Sequence, residues 1–172
     1  ESWLAMEVET EFAYQEGVAF VSGNGTNKPN GLLTYITGAA NAAAHPYGAI
    51  AIVNSGNAGA LTADGILNLV HAVPSEMRAG ASFVLNNDSM RLVRLLKDGQ
   101  GNYLWQPSYQ AGTPSTLAGY PVVEMPAMPD VAANSTPIAF GDFKRGYLVV
   151  DRVGTRILRD PFTNKPHVHF YT

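Results

Sequence analysis

Histidine residues are the first place to look for metal chemistry in this chain. His167 and His169 stand two residues apart, and on a strand this spacing places both imidazoles on one face, where they could bind a metal ion. The other histidines, His45 and His71, stand at no spacing that would complete such a site. A pair of histidines on an exposed strand face more often has no role in metal binding, so we expect this protein to bind no metal ion and no cofactor.

Nucleophilic and phosphate-binding motifs are incomplete. A catalytic serine needs a sharp turn such as Gly-x-Ser-x-Gly or a placed histidine–aspartate pair, and neither Ser22 nor Ser55 has that context. Gly23-Asn24-Gly25 follows an apolar run, as a dinucleotide-binding loop would, but Lys28 occupies the third glycine position and a turn sequence follows instead of a helix. Cysteine is absent, which excludes disulfides, thiolate metal sites and cysteine nucleophiles. We therefore predict that the protein is not an enzyme.

The elements that would position any site alternate between helices and short strands. Apolar residues recur every three or four positions at the start of the chain, which predicts a helix that ends near Gly17. The residues of this stripe are Trp3, Leu4, Met6, Val8 and Phe12. Short apolar runs predict strands at residues 18–22 and 32–37. Residues 39–60 are rich in Ala, Asn and Gly and predict a long surface loop with one strand at 49–53.

The middle and end of the chain continue the alternation. Thr62 is a candidate N-cap for a helix closed by Pro74, and Asn86 or Asn87 is a candidate cap for a helix that ends near Asp98. Strands are predicted at residues 82–85 and within 117–125. A β-meander is predicted at the end, with strands at residues 138–143, 147–152, 156–159 and 167–171. Interleaved helices and strands with late antiparallel pairs predict an α+β fold.

Composition and charge exclude several classes of protein. With 172 residues, 46% hydrophobic and 15% charged, the chain is long and apolar enough to bury a core. A net charge of −3 argues against a free-standing nucleic-acid binder, which needs a basic face. No run approaches the roughly 18 apolar residues that a membrane span requires, so we expect no membrane partner.

The charges that are present are unevenly distributed. Residues 1–16 contain five glutamates and no basic residue, whereas five lysines and arginines outnumber three aspartates in residues 142–160. Between residues 17 and 75 only Lys28 and Asp64 are charged. This stretch consists either of small polar loops or of a surface that other subunits cover, since interface cores are depleted in charge.

Four segments of the chain, taken together in their order, form a recognisable set. They are ESWLAMEVETEFAYQEGVAFVSGNGTNKPNGLL, ASFVLNNDSMRLVRLLKDGQGNYLWQPS, STLAGYPVVEMPAMP and IAFGDFKRGYLVVDRVGTRILRDPFTNKPHVHFYT. This set resembles the major capsid proteins of tailed double-stranded-DNA bacteriophages with the Hong Kong 97-type fold, and related proteins of prophages and gene transfer agents. The resemblance covers nearly the whole chain except residues 39–60.

The resemblance implies a domain layout. Residues 1–37 would hold the end of a spine helix and part of a peripheral domain, residues 38–150 an axial domain, and residues 151–172 strands that return to the peripheral domain. On this interpretation the chain is a fragment that lacks the N-terminal arm, the extended loop and the C-terminal end of the family's subunits.

The resemblance also implies a function and a set of partners. The intact protein would be a structural subunit that self-assembles into pentamers and hexamers of an icosahedral shell. The shell would enclose double-stranded DNA without sequence specificity, and assembly could involve a scaffold and a prohead protease. The protein would be made in the bacterial cytoplasm and would end in the virion capsid. The alternative functions are an encapsulin-like nanocompartment shell protein and, less favoured, a small metal-dependent enzyme that uses His167 and His169.

Two groups of residues are candidates for contacts between subunits. In the family, axial loops meet at the symmetry axes, and the matching loop here spans residues 98–112. Its aromatic and proline residues are interface candidates, although Tyr103 and Trp105 could equally pack on their own core. These candidates are Tyr103, Trp105, Pro107 and Tyr109. The second group would pair acidic and basic residues within or between subunits, namely Glu7 and Glu11 with Arg156 or Arg159.

Overall fold

A computed structural model describes residues 2–105, 116–150, 158–160, 162–163, 165 and 168–171. Helices and strands alternate along the chain, and the predicted α+β class is confirmed. The helices are α1 (Ser2–Ser22), α2 (Ala63–Ala72), α3 (Ser75–Arg78), α4 (Asn87–Arg94) and α5 (Phe143–Gly146), with 3₁₀ turns at Leu32–Tyr35 and Ala42–Ala44. The strands are β1 (Ser82–Leu85), β2 (Thr116–Leu117), β3 (Tyr120–Glu124), β4 (Ile138–Gly141), β5 (Leu158–Asp160) and β6 (His169–Tyr171).

Strand β1 lies at the centre of a four-stranded mixed sheet with the order β2-β3-β1-β4. It pairs in parallel with β3, where Val84 is opposite Val123, and antiparallel with β4, where Val84 is opposite Ala139. Strands β2 and β3 form a short antiparallel hairpin. Because β1 has a neighbour on both sides and is covered on both faces, its sequence is almost wholly apolar.

Alternation along β1 divides the core into two clusters. Phe83 and Leu85 point to one face, where they pack with residues of α2, α4 and β2. Val84 points to the other face and packs with Val21 of α1 and with Met128. The first cluster consists of Ile66, Val70, Phe83, Leu85, Val93 and Leu117. The strand thus connects the C-terminal end of α1 to the helices on the opposite face of the sheet.

Both helix caps that were predicted are confirmed. The Thr62 hydroxyl accepts a hydrogen bond from the Gly65 N–H at 3.0 Å, so α2 begins where the sequence predicts. Of the two candidates for α4, Asn86 is the cap, because its Oδ1 accepts from the Ser89 N–H at 2.7 Å. Helix α4 ends at Arg94, four residues before the predicted end.

The end of α1 differs from the prediction. The helix does not stop at Gly17 but continues to Ser22, through the segment predicted as a strand. Val21 is only 3% exposed in the second cluster, and the Phe20 ring lies 6.2 Å from the Tyr147 ring in an edge-on arrangement. This packing outweighs the cost of about 1 kcal/mol of a glycine inside a helix.

Two further strand predictions are wrong. In place of the strand predicted at residues 32–37, a 3₁₀ turn forms at Leu32–Tyr35. The Thr34 N–H and hydroxyl both donate hydrogen bonds to the Gly31 carbonyl. Residues 49–53 form no strand, and only an isolated bridge joins Ile50 to Ile36. The two segments meet at Ile50, whose carbonyl accepts from the Thr37 N–H and whose N–H donates to the Tyr35 carbonyl, but this pairing does not extend into a ladder.

The first strand of the predicted β-meander is confirmed as β4, but its predicted pairing is wrong, and the second predicted strand does not form in its described residues. Strand β4 pairs with β1, which lies far earlier in the chain, instead of with the segment that follows it. Helix α5 follows β4, and residues 147–150 form no strand. The late antiparallel pair is confirmed, because β5 and β6 form a two-stranded sheet with Arg159 opposite Phe170.

Candidate assembly surfaces

The first two-thirds of α1 form an exposed surface. From Met6 to Glu16 every side chain is exposed except that of Val8, which is half-buried. Of the predicted apolar stripe, Trp3 is 67% exposed, Met6 61% and Phe12 39%, whereas Val8 is half-buried. From Gly17 to Val21 the residues are half-buried or buried, and Val21 packs in the second cluster.

Helix α1 is also acidic. Its charged residues are Glu7, Glu9, Glu11 and Glu16, all of them exposed, and it contains no lysine or arginine. The Gln15 side-chain N–H donates to a Glu11 carboxylate oxygen at 2.7 Å, one helical turn away. This surface combines exposed large apolar groups with four carboxylates on a helix that has no lysine or arginine, and a partner that covers it must match both.

A tight turn after α4 presents the aromatic loop. Asp98 closes it, since its carboxylate accepts from the N–H groups of Gln100 and Asn102 at 2.9 and 2.8 Å. The hydrogen bonds from Asn102, followed by those from Gln100 and Gly101, lower the pKa of Asp98. Gly101, with φ of 89°, adopts the left-handed conformation that this turn requires. A bridge between Lys97 and Tyr103 completes the hairpin.

The two aromatic candidates that the structure describes in this loop have different environments. Trp105 is half-buried against the first core cluster, and its indole N–H donates to the Thr116 carbonyl at 2.7 Å. The Arg94 guanidinium lies over its ring at 5.2 Å. Tyr103 is 48% exposed, with the Lys97 ammonium 4.8 Å from its ring centre. The other two candidates, Pro107 and Tyr109, lie outside the described residues.

The charge-poor segment forms one wall of an open cleft of about 1120 Å³. The opposite wall consists of residues 129–147 and includes β4. Among the described residues that line the cleft, only Asp142 and Arg145 are charged. At the rim, Tyr47 is 94% exposed and stacks edge-on against His45 at 6.2 Å.

The predicted acidic–basic pairs remain a prediction. Arg159 lies in β5, has an exposed side chain and takes part in an interaction, whereas Arg156 lies outside the described residues. In the turn after β5, the Asp160 carboxylate accepts from the Phe162 N–H at 2.9 Å and from the Thr163 hydroxyl. These hydrogen bonds lower the pKa of Asp160, and the bond from the Thr163 side chain has the largest effect.

The described part of the chain holds no group of three or more His, Asp and Glu side chains that could bind a metal ion. His169 lies on β6 opposite Asp160, and His167 is outside the described residues. None of the helices in the described ranges combines the length and the hydropathy needed to cross a membrane.

Comparison with known proteins identifies the family. The model of the phage capsid family matches residues 1–172. The chain belongs to the phage capsid family. Two solved structures superpose on it with a TM-score of 0.86 over 99% of its length: the capsid of an empty GTA (gene transfer agent) particle, 46% identical, and the capsid of a native GTA particle, 45% identical, both computed with C5 symmetry. No match is found among curated proteins.

This member of the phage capsid family spans 59% and 58% of the two capsid chains that it matches. Its α+β architecture, a mixed sheet with flanking helices, is a capsid fold. The matches support a structural protein and favour neither the nanocompartment shell nor the metal-dependent enzyme.

Two features of this capsid-family chain were missed by inspection of the sequence. Tyr47, with its exposed ring, stands between Pro46 and Gly48 in a segment without charge, a context that favours an exposed turn. The cations over the aromatic rings come from Arg94, the last residue of α4, and from Lys97, three residues later, which is bridged to Tyr103. Both stand directly before the aromatic loop in sequence, and this proximity is the signal that could have indicated the contacts.

Proposed function

We propose that this protein is a self-assembling structural subunit, many copies of which form the shell of a phage-type particle. The observation that carries the proposal is the similarity of the chain, over 99% of its length, to the capsid chains of two GTA particles. The exposed apolar surface of α1 and the exposed hairpin after α4 also support it, because both are unusual on a protein that functions as a monomer.

Assembly into rings needs a contact that joins two different surfaces of neighbouring subunits. Such head-to-tail contacts close into rings when their rotation matches the ring size, and five- and six-membered rings build an icosahedral shell. In this proposal, residues 1–37 and 151–172 belong to a peripheral domain and residues 38–150 to an axial domain. The acidic surface of α1 and the hairpin with Tyr103 would then lie in different parts of the subunit.

The hairpin after α4 is proposed as an axial contact. Trp105 anchors the loop on its own domain, and Tyr103 with Leu104, which is 53% exposed, presents apolar surface outwards. Aromatic residues beside cations are typical of interface centres. Pro107 and Tyr109 continue the same loop and are proposed to share the contact.

The electrostatic pairing of Glu7 and Glu11 with Arg156 or Arg159 is proposed to set the register between elements. Exposed pairs of this kind contribute roughly 0–1 kcal/mol each, too little to drive assembly by themselves. Their value lies in excluding wrong alignments, in which like charges would face each other.

The enclosed cargo is proposed to be double-stranded DNA held without sequence specificity, with assembly aided by a scaffold and a prohead protease in the bacterial cytoplasm. A net charge of −3 agrees with a shell that encloses DNA without binding it tightly. Tight binding of DNA requires many contacts between basic groups and phosphates.

Negative-stain electron microscopy of the full-length protein tests the proposal. Closed shells or rings of five or six subunits are the expected result. Monomers that persist over a range of salt and protein concentrations, with scaffold and protease co-expressed, would contradict it.

A further inference from the structure

Two backbone edges that line the open cleft have unpaired hydrogen-bonding groups within the described residues. Among the described strands, β4 (Ile138–Gly141) is the last of its sheet and pairs with β1 alone, so its outer edge has no strand beside it, and it lines the cleft. On the other wall, the backbone groups of residues 51–54 make no hydrogen bond within the described part of the chain. Unpaired backbone edges are templates for pairing with another strand.

The chemistry of the cleft matches an extended apolar segment. Its lining is nearly free of charge, with Asp142 already occupied as the N-cap of α5. The cleft has a volume of about 1120 Å³ and is open to solvent, so it has room for an extended segment of chain. A strand laid between the two walls could donate and accept backbone hydrogen bonds on both sides, with apolar side chains against Ile52 and Phe140.

A second copy is the occupant that the comparisons favour, because the capsid chains that this protein matches belong to particles computed with C5 symmetry, in which identical subunits are neighbours. No Asp, Glu, Lys or Arg occurs between Lys28 and Asp64, as expected for an interface core and not for a permanently hydrated wall.

We propose that the cleft between residues 51–54 and β4 receives an extended, uncharged segment of a neighbouring copy, which joins the sheet as an additional strand at β4. This inference rests on the proposed capsid function, since it needs copies that lie side by side. It adds a mode of contact, strand addition at the open sheet edge, to the hairpin and the charged helix already described.

Amide hydrogen exchange of the full-length protein, as free subunits and as assembled particles, tests the inference directly. We expect exchange at residues 51–54 and in β4 to slow by about tenfold or more on assembly, because their free N–H groups gain partners. Particles that form while both segments exchange as fast as in free subunits would overturn the inference and leave the capsid proposal intact. A protein that forms no particles would contradict both.

A pair of lysine substitutions gives an independent test. Ile52→Lys places a charge inside the cleft wall, and Leu67→Lys places the same charge on α2 at a residue of similar exposure, 45% against 50%, that does not line the cleft. Both variants should keep the circular dichroism and urea midpoint of the free subunit. We expect Ile52→Lys to reduce the yield of particles by about tenfold or more and Leu67→Lys to leave it unchanged. Equal yields from the two variants would overturn the inference.

Discussion

Asn86 and Asp130 are joined across 44 residues of sequence by a hydrogen bond of 2.6 Å from the Asn86 side-chain N–H to a carboxylate oxygen. The same amide group donates to the Met128 carbonyl at 3.1 Å, while its oxygen caps α4 through the Ser89 N–H. One buried side chain therefore begins a helix and also holds the loop between β3 and β4 against it.

Substitution of Asn86 by alanine should lower the free energy of unfolding by about 2–3 kcal/mol. The loss of an N-cap costs about 1 kcal/mol, and leaving the buried partners without hydrogen bonds adds about 1–2 kcal/mol. Asn87→Ala is the matched control, because the neighbouring asparagine is exposed and makes no cap, and it should change stability by less than about 0.5 kcal/mol. Urea unfolding of both variants measures the difference, and equal losses would show that Asn86 is not the cap.

Substitution of Ser89 by alanine should stabilise the protein. Ser89 is 0% exposed, and its hydroxyl has no hydrogen-bond partner in the described part of the chain. Alanine removes this unpaired polar group and has the higher helix propensity, so the free energy of unfolding should rise by about 0.5–1 kcal/mol. A loss of stability on urea denaturation would mean that the hydroxyl is satisfied, for example by a buried water.

The stability contributed by the Asp98 turn should depend on pH below about 4. Because hydrogen bonds from Asn102 lower the pKa of Asp98 in the folded protein, its contribution is complete above the unfolded pKa and is lost as the pH falls through the folded pKa. The difference in stability between the wild type and Asp98→Ala should therefore be constant near neutral pH and shrink in acid. A difference that stays constant down to pH 2 would contradict the assignment.

Alanine substitutions at the two aromatic residues of the hairpin should separate folding from assembly. Trp105→Ala removes a half-buried ring and a hydrogen bond to Thr116, so we expect a loss of about 2–3 kcal/mol in the free energy of unfolding. Tyr103→Ala should cost less than about 1 kcal/mol, since the ring is half in solvent, but should reduce the formation of rings and shells. Chemical denaturation and negative-stain microscopy of both variants measure the two effects.

If Tyr103→Ala assembles as well as the wild type, the hairpin is not an interface anchor. The double variant would add no information here, because Tyr103 and Trp105 share a loop and their effects need not add.

Charge reversal should test the pairing of the acidic helix with the basic strands. Arg156→Glu with Arg159→Glu should weaken assembly at low salt and reverse the effect of salt on this contact, because salt screens the new repulsion, and adding Glu7→Arg with Glu11→Arg should restore assembly. Each pair is worth only about 0–1 kcal/mol, so the effect is best measured as a shift in the protein concentration at which particles form. Assembly that is unchanged by reversal at Arg156 and Arg159 would exclude the pairing.

Local elements whose cause lies within a few residues were predictable. The caps Thr62 and Asn86, the strand β1 and the apolar faces of α2 and α4 depend on neighbours three or four positions away, and all are where the pattern predicts. The end of α1 was not predictable, because Gly17 is a local stop signal and the packing of Val21 on Val84 that overrides it joins distant segments.

Pairing between strands was the part that the sequence could not determine. Residues 138–141 have the pattern of a strand. Nothing in that pattern shows that they pair with β1 instead of with the segment that follows them in the sequence. For the same reason, residues 49–53 were predicted as a strand although no strand lies beside them. Periodicity reports how a side chain is buried, whereas pairing depends on which segments the whole fold brings together.

The sequence by itself determined the family and the α+β class, and it predicted the residues at which an interface is to be expected. Only the tertiary structure decided which of those places are exposed. It half-buries Trp105 but leaves Tyr103, Trp3 and Met6 exposed, and β4 is an edge strand that lines a cleft. The physical reason is that composition and spacing encode the preference of a residue for burial, while exposure depends on contacts between segments far apart in the chain.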